Sequence, residues 1–167
     1  MKILGNNSLS SKLLTGVRII TVLTIMAMAI ITMITIKDLR DILNGQTEKV
    51  SETVLIAGIF IGGFLFITML VYLTSFFSNL KDEVCFDDCN IVLLKRISNL
   101  VLGGSIIYGV MSVLQIIFAN NYMDIITYNV FLWILTIIMI CLSLGIKIFI
   151  EIYKKAIEYK KENDFTI

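Results

Sequence analysis

The sequence predicts an all-α protein: a four-helix transmembrane bundle whose fourth helix extends beyond the bilayer as an amphipathic cytoplasmic segment. Three observations carry that prediction. Of the 167 residues, 57% are hydrophobic and the mean hydropathy is +0.91, well above soluble domains. Residues 19–36, 54–77, 97–118 and 125–146 contain no Asp, Glu, Lys or Arg. Each run is long enough to cross a hydrocarbon core of about 30 Å as a helix rising about 1.5 Å per residue. The chain has no proline, so nothing in its composition interrupts a straight span. A barrel would need short alternating strands, and these uninterrupted apolar runs do not alternate; in lipid each must satisfy its own backbone as a helix.

The first run follows Lys2, Lys12 and Arg18 and contains Ala27-Met28-Ala29, which imitates a signal-peptidase motif. The apolar run continues to Ile36, so the motif lies mid-span and the segment reads as a retained signal anchor. In the second run, Gly58-x-x-x-Gly62 with Gly63 forms a small-residue face, as does Ser105-x-x-x-Gly109 with Gly103 and Gly104 in the third. Such faces let backbones approach closely, and helix two packing on helix three is expected, with a homodimer face as the alternative. The turn from Ala119 to Asp124 is so short that helices three and four must form an antiparallel hairpin. Tyr122, Tyr128 and Trp133 lie at or near its outer end, where amphipathic rings settle.

Orientation follows from the basic residues. Lys2, Lys12, Arg18, Lys81, Lys95, Arg96, Lys147, Lys154, Lys155, Lys160 and Lys161 fall on one side, and Lys37, Arg40 and Lys49 on the other. The positive-inside rule then places both termini, the loop at 78–96 and the helix at 147–162 in the cytoplasm, in a plasma-membrane protein. In that loop Asp87 or Asp88 suits the N-cap of a helix beginning near Ile91, and Phe86 can staple onto Ile91 or Val92. Past Ile146 the fourth helix is expected to continue with an apolar face of Ile148, Ile152 and Ala156. Glu151 is expected to pair at four-residue spacing with Lys147 or Lys155, and Lys154 with Glu158. That segment either lies on the inner leaflet or packs on the 78–96 loop or a partner.

Several function classes lose ground. A net charge of +1 disfavours nucleic acid as a direct partner. There is no histidine, and Cys85-x3-Cys89 has no companion cluster to complete a metal site, so two reduced thiols without metal are expected. Cys141 reads as a small packing or lipid-facing residue. Paired Asp87 and Asp88 lack a base, nucleophile or metal for catalysis, so capping is the cheaper reading. The spans carry hydroxyls and amides but no Asp, Glu, Lys, Arg or His, which weakens ion-coupled transport; most of the hydroxyls are expected to bond their own helix four residues back.

Two stretches resemble a known family. Cys85-Phe86-Asp87-Asp88-Cys89-Asn90 leading into Leu94-Lys95-Arg96-Ile97, and the ending Glu162-Asn163-Asp164-Phe165-Thr166-Ile167, are similar to the loop and terminal motifs of the bacterial membrane family catalogued as domain of unknown function 2975. Cys85 stands where that family usually has proline, and Phe165 where it has leucine. The resemblance implies a four-helix membrane protein of no established activity, whose partner is a small cytoplasmic helix-turn-helix regulator or another membrane protein. Phe86, Asp88, Asn90, Lys95, Arg96, Glu162, Asn163, Asp164, Phe165 and Thr166 are the candidate interaction residues. The tail is expected to fold back so that Lys95 and Arg96 meet Glu162 or Asp164. The leading reading is a non-enzymatic regulatory or interaction protein without a cofactor. A transport or permease-associated subunit, including self-protection against a membrane-active peptide, is the alternative.

Overall fold

The computed structural model describes residues 8–43, 50–82, 84, 87–118 and 122–164. They form four helices, α1 (Leu9–Leu43), α2 (Val50–Lys81), α3 (Asp88–Phe118) and α4 (Tyr122–Asp164). All four are long and apolar enough to cross a membrane, and the protein is a multi-pass membrane protein. The Phe86 staple, Cys85, the side chains of Tyr122 and Tyr128, and Phe165 and Thr166 lie outside the described residues.

Each helix outruns its apolar stretch. α1 covers 35 residues and α4 43, against charge-free runs of 18 and 22. Bilayer thickness limits the length of the apolar run, but outside the bilayer water and capping groups serve the backbone and the helix need not stop. The expected loop at 78–96 is correspondingly smaller: α2 continues to Lys81 and α3 begins at Asp88. As expected, residues 147–162 are the unbroken continuation of α4.

Among the described residues the main contacts join helices adjacent in sequence, so α3 is held by α2 on one side and α4 on the other, while α1 flanks α2. Apolar burial does little to associate helices inside lipid, where close packing and interhelical hydrogen bonds take over. Both are visible. Gly58 faces Met111, Gly62 faces Tyr108, and Gly63 faces Met28, so the α2 glycines seat α3 and α1 as small-residue faces do. The Ser105-x-x-x-Gly109 face departs from expectation, because Gly109 turns toward Thr136 of α4 rather than toward α2.

The α3–α4 seam has a seven-residue rhythm. Ile91, Ser98, Ser105 and Ser112 on α3 run antiparallel to Asn129, Thr136, Ser143 and Ile150 on α4, and all eight are buried. Ser98 and Ser143 exchange hydrogen bonds, with their hydroxyls 3.1 Å apart and each donating to the other's carbonyl at 3.1–3.2 Å. Ser112 donates to Asn129 Oδ1 at 2.6 Å. These two pairs fix one register along the whole hairpin, and serines every seventh residue let the helices approach as small residues do. Other hydroxyls behave as expected and bond within their own helix, for example Thr24 to Ile20 and Thr136 to Leu132.

Candidate functional site

Where α2, α3 and α4 leave the apolar layer they build an elbow from a few polar groups. α2 closes with the Asp82 amide donating to the Ser78 carbonyl at 2.9 Å, and the chain turns back as the Val84 amide bonds the Asn79 carbonyl at 2.9 Å. Asp87 then caps α3, its carboxylate accepting from the Cys89 amide at 3.2 Å, so the first of the two candidate aspartates is the cap.

Asn90 closes the elbow. Its side chain is completely buried. Its carbonyl oxygen accepts from Asn79 Nδ2 at 2.8 Å, and its amide donates to the Val84 carbonyl at 2.7 Å and reaches Tyr153 Oη at 3.4 Å. One amide therefore ties α2, the connection, α3 and α4 together. Below it Phe76, Ile91, Leu94, Ile150 and Ile157 form a buried apolar cluster, with Leu80 and Tyr153 packed against it. This cluster is why α4 holds to α3 after leaving the membrane.

The candidate residues separate into different roles. Asn90 is withdrawn from the surface and serves as the lock. Asp88 is exposed and bonds Lys161 Nζ at 3.3 Å. Arg96 stacks over the Tyr72 ring, 5.6 Å from its centroid. Lys95 faces α4 beside Lys147 and Glu151. Glu162 and Asn163 are exposed on the last turn of α4, and Asp164 ends it. The expected folding back of the tail involves residues 165–167, which lie outside the described residues; through Asp164 the chain continues as α4, and Lys161 bridges to α3 with Asp88 as its partner. With Ser98 set opposite Ser143, Lys95 and Arg96 lie well before the level of residue 161, and the last turns of α4 pass beyond the start of α3.

Glu151 was expected to pair at four-residue spacing, but its partner is Lys154, at three, with Nζ 2.6 Å from Oε1. That hydrogen bond and the ammonium charge hold the carboxyl below the usual carboxylate range against slight desolvation, with Lys95 and Lys155 adding to the lowering. Cys89 and Cys141 are both exposed free cysteines, which makes Cys141 lipid-facing.

With this arrangement in view, the comparisons with known proteins are decisive on one point. The family model described as "Protein of unknown function (DUF2975)" matches residues 5–167. The chain belongs to that family. No curated protein and no solved structure matches it. The DUF2975 match spans the elbow, the hairpin and the end of α4 alike.

Reasoning from the sequence missed Asn79 and Tyr153 as partners of Asn90, and the cross-helix roles of Ser98, Ser112, Asn129 and Ser143. Local spacing cannot pair Asn90 with a residue 63 positions away. The serine seam did have a signal, the recurrence of polar residues every seven positions on both helices.

Proposed function

We propose that this DUF2975 protein is a non-enzymatic regulatory or interaction protein of the plasma membrane, with both termini in the cytoplasm, and that its elbow end docks a soluble partner. The observation that carries the reading is the Asn90 lock. It builds a rigid platform outside the apolar layer, where lipid makes no demand on residue identity. From Ile146 to Asp164, α4 projects roughly 27 Å past its apolar run. Along it Glu158, Tyr159 and Glu162 are exposed, with Asp88 and Val92 exposed on α3; Tyr159 is 70% exposed, unusual for an aromatic with no binding role. The distribution of Lys and Arg supports the cytoplasmic placement of this end. The partner class implied by the family resemblance is a small helix-turn-helix regulator.

The test is co-expression with such a regulator, extraction in mild detergent and co-purification. Wild type should retain it, and Tyr159→Ala combined with Glu158→Arg should lose it while the thermal midpoint stays unchanged. A regulator that never co-purifies, or that binds the double variant equally, would remove the proposal. Solute flux by the purified protein in proteoliposomes would replace it with transport.

A further inference from the structure

A groove of about 280 Å³ lies between α3 and α4 just outside the apolar layer, lined by Lys95, Ser98, Asn99, Lys147, Ile150 and Glu151. Its charges do not cancel. Glu151 is taken by Lys154 at 2.6 Å, while Lys95 and Lys147 make no ion pair and the Asn99 amide no hydrogen bond among the described residues. Ser98 is occupied by Ser143.

The two lysines stand at one depth. Lys95 is three residues beyond Ser98 and Lys147 four beyond Ser143, so on antiparallel helices they rise about 4.5 and 6 Å from the same level. Lys147 directly borders the apolar run at residues 125–146, and Lys95 lies two residues before the run at 97–118, with Arg96 between them turned to the Tyr72 ring. Toward the membrane the groove continues into two apolar tracks at seven-residue spacing: Ile106 and Val113 follow Asn99 on α3, and Ile140 and Trp133 follow Lys147 on α4, all exposed.

We infer that this groove binds one anionic phospholipid. Its phosphate sits between the Lys95 and Lys147 ammonium groups, the Asn99 amide donates to a phosphate or glycerol oxygen, and the acyl chains follow the two apolar tracks. Two cations at headgroup depth favour a net negative lipid, because in a zwitterionic headgroup the ammonium offsets the phosphate. The inference uses only the membrane-spanning fold. It needs neither the docked partner nor the proposed sidedness.

The experiment is native mass spectrometry of the purified protein from detergent micelles doped with phosphatidylglycerol or phosphatidylcholine. Wild type should retain one phosphatidylglycerol in preference to phosphatidylcholine. Lys95→Gln with Lys147→Gln should weaken that retention by at least about tenfold. Lys95→Arg with Lys147→Arg should keep it, as should Lys155→Gln with Lys160→Gln, which changes net charge equally. Thermal midpoints in undoped micelles show whether each variant is folded. Equal retention of both lipids, or equal loss in the two glutamine pairs, would overturn a built site. Displacement by millimolar inorganic phosphate would overturn the lipid and assign the groove to a free anion.

Discussion

Asn90→Ala removes a side chain that ties three helices at the elbow. Two of its hydrogen bonds are short, 2.8 Å from Asn79 and 2.7 Å to the Val84 carbonyl, and the contact with Tyr153 at 3.4 Å is long enough to add little. Each short bond contributes about 1 kcal/mol net, and the void with a desolvated Asn79 amide adds about 1 more, for a total near 3 kcal/mol. For a chain of this size that corresponds to a fall of roughly 6–12 °C in the thermal midpoint. Asn90→Asp keeps the acceptor facing Asn79 but turns an oxygen toward the Val84 carbonyl, so it should fall at least as far. The assay is fluorescence-detected size-exclusion after heating a green-fluorescent-protein fusion in one detergent. Asn79→Ala completes a double-mutant cycle, with a coupling of about 1 kcal/mol expected. A midpoint for Asn90→Ala within about 2 °C of wild type would refute the lock.

Three further outcomes are expected. Cysteines placed at Asn44 and Asn121 should react with an impermeant maleimide in intact cells while those at Lys81 and Lys160 do not; outside labelling at Lys160 would reverse the proposed orientation. Gly62→Leu should destabilise by about 1–3 kcal/mol, because any side chain there meets Tyr108, whereas Gly103→Ala, with no atom within 4 Å of its added Cβ, should be neutral; equal effects would undo the assigned α2–α3 contact. Gln115→Leu should be neutral or raise the thermal midpoint, because Gln115 Oε1 is buried with no partner among the described residues. A clear drop would mean that oxygen is satisfied in the membrane.

The four spans were legible because lipid imposes one demand, a long uncharged run, that any reader of the sequence can find. The end of α2 was not. Residues 78–81 carry polar groups and a lysine that look like loop, yet they stay helical, with Leu80 packed against Phe76, Ile91, Leu94, Ile150 and Ile157; the course of α4 past Ile146 was legible from its amphipathic pattern. The N-cap at Asp87 was legible because it is local. Asn90 was legible only as a candidate, and its reading as an exposed contact was mistaken, since its burial depends on Tyr153 in another helix. The hydroxyls show the same division: Thr24 and Thr136 follow the local rule, while Ser98, Ser112 and Ser143 obey a cross-helix register that only the pairing of α3 with α4 sets.

The unbroken course of α4 also has a mechanical consequence. With no proline and no break between Tyr122 and Asp164, it is a stiff rod of about 64 Å. Its tip lies roughly 32 Å from Ser143, where the serine pair pins it to α3. Rotation of the rod by about 5°, within the range by which spans adjust to bilayer thickness, sweeps that tip sideways by about 3 Å. Because Ile157 and Lys161 still hold α4 to α3 beyond the serine pair, such a tilt carries the Asn90 elbow along with the tip.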